Sequence, residues 1–303
     1  MTTSTINNLT NLSGEYRLCI TRRDGTLEDT GWFKNIILDA GMERFPVGAT
    51  ISHISVGTGT STPVVTQTGL DTFVASKTTG SASVINSGSP NYTSAMTFPA
   101  VFAQGAVVGN ISEIGCWWSA TNGSLFSRAR ILDTGGNPAT ITLTAIDQLT
   151  VYYRITVVPP INETTGSVTV AGIEYPYTMR RANANNAISS GMFTTGNGGG
   201  FPINNVSAYS TPSVIGAITG GPTGASTQSV ALSHAPYSAG SNTRVATVTF
   251  GITFVNPIQS LVILYGVYGA LNLHYMQMTF TTPIPKSNTN VLSLTFQTTW
   301  ARA

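Results

Sequence analysis

The chain has 303 residues, a net charge of +2, 41% hydrophobic residues and only 9% Asp, Glu, Lys and Arg. Serine, threonine, asparagine and glycine stand where charge would be, which excludes a charge-rich disordered chain and a surface built to hold a phosphate backbone. The charge is also uneven: residues 1–160 carry nine Lys/Arg and ten Asp/Glu, residues 161–303 only five and two. A second half so poor in charge is expected to be covered by neighbouring copies or by another protein.

Residues 1–14 are polar and read as a flexible arm, or one that lies on a neighbour. They have neither a basic stretch nor an apolar run, so they do not read as a signal peptide, and synthesis in a cytoplasm is expected. Residues 16–22 alternate as a strand and end at the hairpin turn Asp24-Gly25. Phe33, Ile36, Ile37, Ala40 and Gly41 then fall on one helical face. The spacing predicts a short helix capped by Asn35 and stopped by Pro46, plugging one end of a β-sandwich. Strands are expected at 53–56, 72–77, 82–85, 95–102, 111–118 and 125–131, with breaks at 87–90, Asn122-Gly123 and 135–138. Residues 148–158 alternate Leu149, Val151, Tyr153, Ile155 and Val157 against Thr150, Tyr152, Arg154 and Thr156, a half-buried strand with one wet face. Pro159-Pro160 ends it and marks the expected domain boundary.

The second half repeats this order loosely. Ile54-Ser55-Val56 matches Val206-Ser207-Ala208, and Met96-Thr97-Phe98 matches Val248-Thr249-Phe250, both at an offset of 152 (206 − 54 = 248 − 96). Residues 111–118 correspond to 261–268, 125–131 to 276–282, 149–158 to 292–300 and 16–23 to 175–181. The helix has only the weak candidate 183–190, and the glycine run 196–200 is expected to be flexible. The chain is therefore read as all-β: an arm over 1–14, a β-sandwich or jelly-roll-like domain with one short helix over 15–160, and a second, duplicated one over 161–303.

Chemistry is hard to find in this pattern. HExxH, GxSxG, P-loop and CxxC motifs are absent from the sequence. His53, His234 and His274 have no partner at ligand spacing and read as strand or rim histidines. Glu113, Asp133 and Asp147 are carboxylates that a sheet would have to bring together before they could do acid–base work. Trp117-Trp118 is the best candidate for a sugar platform, although neighbouring strand residues point to opposite faces and one should be core. Cys19 and Cys116 sit in apolar strand contexts and read as buried free thiols. The basic pairs Arg22-Arg23 and Arg180-Arg181 read as solvated strand ends. The longest apolar run, 261–271, is about half of a membrane span. Catalytic residues, cofactor, metal, nucleic acid and membrane are not expected; N-x-S/T triplets at Asn8, Asn11, Asn91, Asn110, Asn122, Asn162 and Asn205 are what this composition produces by chance.

Four stretches carry a family likeness: F-x-N-x-x-L-D-x-G from Phe33 to Gly41, V-G-T-G from Val56 to Gly59 with Pro63 beyond it, E-I-G-C-W-W from Glu113 to Trp118, and L-T-V-Y-Y-R-I-T-V-V-P-P from Leu149 to Pro160. In this succession the chain resembles structural proteins of tailed bacteriophages, of the tail, collar or appendage kind. The resemblance covers residues 15–160. It implies a non-enzymatic, β-rich virion subunit that meets other copies of itself and other virion proteins, and brings no catalytic residues. Two other roles share this chemistry: a receptor-binding adhesin contacting a host surface receptor, and a capsid decoration or head fibre.

Overall fold

In a computed structural model the described residues are 5–44, 51–87, 93–118, 125–158, 160–182, 203–210, 215–220, 228–265 and 274–303. The expected stop at Pro46, the turns at 87–90 and Asn122-Gly123, the segments 183–190 and 196–200, and Pro159 lie wholly or mostly outside them.

The chain opens on β1 (Thr5–Thr21), then makes β2 (Leu27–Asp29), β3 (Phe33–Lys34), β4 (Ile36–Ile37) and the single helix α1 (Asp39–Arg44). Next come β5 (His53–Gly57), β6 (Phe73–Thr78), β7 (Ser83–Ser87), β8 (Thr93–Phe102), β9 (Gly109–Ile111), β10 (Glu113–Trp117), β11 (Leu125–Arg130), β12 (Ile141–Leu143) and β13 (Gln148–Val158). Beyond residue 160 lie β14 (Thr164–Val170), β15 (Ile173–Ala182), β16 (Ile203–Tyr209), β17 (Gln228–Ser229), β18 (Ala231–His234), β19 (Thr243–Phe250), β20 (Ile258–Tyr265), β21 (His274–Ile284) and β22 (Leu292–Arg302).

A nine-stranded sheet runs β18-β19-β22-β1-β13-β8-β7, with β2 and β3 added to β1. A five-stranded sheet, β4-β11-β10-β5-β6, faces its first-half strands, and Tyr16 of β1 reaches across to Ser127 of β11 at 2.7 Å. A six-stranded sheet, β14-β15-β21-β20-β16-β17, faces its second-half strands, and His234 of β18 meets the Ile203 carbonyl of β16 at 3.0 Å. The architecture is thus all-β, with two sandwiches sharing one large sheet. One continuous apolar core fills both, from Ile6, Tyr16 and Tyr153 to Phe250, Phe280 and Phe296.

β13 buries the five residues that its alternation predicts, Leu149 to Val157. β1 differs from expectation. Residues 5–14 are strand, not a free arm, with Ile6, Thr10, Leu12 and Gly14 buried. Thr5–Leu12 pairs in parallel with β22, and Asn11–Thr21 pairs antiparallel with β13. The neighbour on which this segment lies is the second half of its own chain.

The predicted helix is also corrected. Phe33 and Ile36-Ile37 belong to short strands, because Asn35 N donates to the Gly14 carbonyl and Leu38 N to the Phe126 carbonyl, sheet bonds that override a local 3.6-residue pattern. The helix is the six residues after them, and a Cβ on Gly41 would collide with the Phe126 carbonyl. α1 lies where the halves meet. Trp300 Nε1 donates to the Met42 carbonyl at 3.2 Å, Arg302 bonds Ile37 O and Asp39, and Glu43 accepts from Tyr237 OH and Gly240 N.

Ladder registers bring out the repeat. β10 pairs Ile114 with Val56 and Ala129; β20 pairs Leu261 with Ala208 and Met278. The orders β6-β5-β10-β11 and β17-β16-β20-β21 therefore correspond, and so do β7-β8-β13 and β18-β19-β22. The match of 96–98 with 248–250 slips by four residues. Phe102 pairs with Leu149 and Phe250 with Leu292, so Phe102 is the equivalent of Phe250, an offset of 148 (250 − 102) and not 152. An even slip keeps every side chain on its face, which is why the sequence pattern does not reveal it.

Candidate functional site

β10 and β11 are buried on both faces, with every described side chain from Glu113 to Trp117 and from Leu125 to Ala129 inside. The inner face meets the large sheet. The outer face is covered by the loop between β5 and β6, whose Leu70 packs with Leu38, Trp117 and Leu125. Two opposite charges, Glu113 and Arg128, lie under that loop with fully buried side chains. Arg128 Nη2 sits 2.7 Å from Glu113 Oε2 and 2.7 Å from Asp71 Oδ2, and Nη1 donates to Ser61 Oγ at 3.1 Å.

The Glu113 carboxylate accepts five hydrogen bonds: Gly59 N and Thr72 N on one oxygen, Asp71 N, Arg128 Nε and Arg128 Nη2 on the other. A buried charge is tolerated only with this degree of pairing. The glycines of V-G-T-G have their reason here. A Cβ on Gly57 would meet Glu113 Oε1 at 2.6 Å, and one on Gly59 would collide with the same oxygen. Burial works against the charge of Asp71, yet Ser61 and Arg128 together hold its carboxyl below the usual aspartate range. The cluster is a clamp that ties a fifteen-residue loop (58–72) to the sheet, and its carboxylate has no lone pair turned to solvent.

The other carboxylates lie elsewhere. Asp133 closes its own turn by accepting from Gly135 N and Asn137 N. Asp147 accepts from Thr144 N and Oγ1 and from Arg22 Nη1 at 2.9 Å. The three are not brought together. His53 is held between Ser52 Oγ and Thr78 Oγ1, and burial pushes His234 down. The side chain of His274 lies outside the described set. Among the described residues no group of three His, Cys, Asp or Glu could hold a metal ion.

Cys116 is a buried free thiol pushed up to about 12 by burial, but Cys19 is only half-buried, on the other face of β1. The basic pairs are not solvated ends throughout: Arg22 is bonded to Glu28 and Asp147, Arg180 to the carbonyls of Ile215 and Gly216, and Arg181 is buried. Trp117 is core. Trp118 carries the Arg44 guanidinium at 4.7 Å from its ring centre, and Trp32 carries that of Arg154 at 4.0 Å. Each of those rings has one face already occupied by a cation.

The surface offers open clefts more than enclosed pockets. One, of about 340 Å³, lies beside β11 under the start of the β5–β6 loop, between Lys34, Pro63, Arg130, Leu132 and Pro138. A second, of about 490 Å³, runs along residues 12–15 and 34–37 to Arg302. No helix among the described residues is long and apolar enough to cross a membrane. Comparison of the chain with family models, with curated proteins and with solved structures finds no match.

Proposed function

We propose that the chain is a structural subunit of a tailed-bacteriophage particle, at the neck or tail, and that it works by fitting against further copies of itself and against other virion proteins. The observation that carries this reading is the character of the sheet edges. The strands that end the three large sheets are β7, β18, β4, β6, β14 and β17, while β2 and β3, laid on β1, carry Glu28, Asp29 and Lys34. Among the six that end a sheet, Lys77 is the one Asp, Glu, Lys or Arg, and none contains proline. Proteins that stay solitary blunt such edges with charge, proline or bulges; of these six only β6 has a charge and a register shift opposite it. Strands Ser83–Ser87 and Thr164–Val170 present unblunted backbone to a partner, with exposed Ile85 on the first of them and exposed Phe73 and Val74 on β6.

The likeness to phage structural proteins supplies the setting. Its four stretches fall on β3 to α1, the end of β5, β10 and β13, which are the folding positions of the first sandwich, so it speaks for architecture and for no reaction. Sedimentation velocity over rising concentration, with electron microscopy of the product, tests the assembly. Discrete multi-copy species, rings or sleeves, are expected. A chain that remains single at every concentration overturns the reading. Antibody labelling of a phage particle that encodes the chain should decorate its neck or tail.

A further inference from the structure

We propose that the tip of the β14–β15 hairpin of one copy docks in the cationic cleft beside β11 of the next. This rests on the assembly reading and names the contact it uses. The cleft is lined by Lys34, Arg128 and Arg130 and by no carboxylate. Arg128 is neutralised from within by Glu113 and Asp71. Lys34 and Arg130 make no ion pair among the described residues, and Arg130 Nε is buried without a hydrogen-bond partner. Arg130 is partly exposed around that buried Nε, and a carboxylate meeting the reachable end of a guanidinium so desolvated makes a charge-assisted bond. Pro63, Leu132 and Pro138 make the remaining wall apolar.

The hairpin has the complementary chemistry. Its turn is Ala171-Gly172, both at positive φ, the two-residue geometry that suits a twisted ribbon. β15 pairs with β21 only from Tyr177 onward, so Ile173 to Pro176 pair with β14 alone and the tip extends past the sheet. At that tip Ile173 is 58% exposed. Glu174 beside it is exposed and in no ion pair among the described residues, and it is one of only two acids after residue 160. One apolar and one anionic side chain, on opposite faces of the ribbon, are thus exposed at the tip and can meet an apolar wall and two cations that make no ion pair among the described residues. Cleft and tip are different surfaces of one chain. A contact between them is head-to-tail, and such a contact repeats around a ring or along a tube.

Sedimentation equilibrium on charge-reversed full-length chains tests the contact. Glu174→Lys, Lys34→Glu and Arg130→Glu should each raise the concentration for half-assembly at least about ten-fold, and Glu174→Lys combined with Arg130→Glu should return most of that loss. Arg23→Glu, exposed and outside both surfaces, should change nothing. Lys34 is exposed, so its variant keeps the test valid if Arg130→Glu folds poorly. Assembly that ignores every reversal, or a combined variant no better than the singles, overturns this contact and leaves the assembly reading standing. A wild-type chain that never assembles overturns both.

Discussion

The loop after β5 is held down by a guanidinium and two carboxylates; Gly216, beyond β16, is held by an amide and by the Arg180 guanidinium, with no carboxylate among its partners. The two anchors occupy the same ladder position. Gly115 pairs with Arg128 and Val262 with Gln277, in strands that correspond one to one. Gln277 is as buried as Arg128, and its Oε1 accepts from Gly216 N at 3.0 Å while Nε2 donates to the Gly216 carbonyl at 3.2 Å. Where the first half has Glu113, the second has the buried Ser260. One architecture therefore pins an equivalent crossing with a buried ion pair in one half and, in the other, with a buried amide joined by Arg180 on the Ile215 and Gly216 carbonyls. The ionic version needs a partner for each charge and glycines at 57 and 59 to admit the carboxylate. The amide-centred version has no buried carboxylate to pair or admit, and part of the shortage of acids in the second half is this exchange made inside the fold.

Arg128→Met should separate the two most strongly. It leaves the Glu113 carboxylate buried with three backbone donors and no cation, at a cost of roughly 3–5 kcal/mol in chemical denaturation. Gln277→Leu removes neutral bonds only and should cost roughly 1–3 kcal/mol, mostly through the unpaired Gly216 N–H, since Arg180 still holds the Gly216 carbonyl. Equal losses for the two variants would break the comparison. A smaller effect comes from acid. The Asp71 carboxyl is held below its ordinary value in the folded chain, so its contribution is complete above the ordinary aspartate range and is lost as pH falls through the folded value. Amide exchange, corrected for its intrinsic rate, should show Ser61, whose N–H the Asp71 carboxylate accepts, losing protection in acid while Gly216, held by the Gln277 amide, keeps its own. Parallel loss at both would mean that acid acts on the whole fold.

The sequence made some of this plain and hid the rest for physical reasons. β13 could be read residue by residue because its buried face is all large and apolar, Leu149 to Val157. The first half of β1 could not, since its buried face includes Thr10 and Gly14, and Gly14 is there because Asn35 and Tyr153 leave no room for a side chain. Phe33, Ile36 and Ile37 imitate a helix because two short strands separated by Asn35 place apolar residues at the same intervals. Glu113 was visible as a carboxylate in an apolar strand, but its partner was not, as Arg128 stands in an ordinary strand pattern. The signal was a pair of opposite charges on inward positions of consecutive strands, with one glycine at the end of the strand beside them and another two residues beyond it. The repeat was legible as an order of most strands, and hydrogen-bond register corrects its spacing. Phe102 matches Phe250, and Ile114, not Ile111, matches Leu261. β15, beside β21, takes the place of β4 beside β11, so the expected match of 16–23 with 175–181 does not hold.

The parallel ladder between β1 and β22 has a consequence for how the molecule is made. Thr5 lies opposite Thr295, so the two sides of that ladder leave the ribosome 290 residues apart. Closing a loop of that length costs entropy that only the finished ladder returns. Until β22 arrives, Asn11–Thr21 has β13 on one side and β2 and β3 along part of the other, while Thr5–Thr10 has no strand to pair with. The central seam of the large sheet is therefore its last to be sewn, and a nascent molecule carries an unfinished strand edge through most of its synthesis.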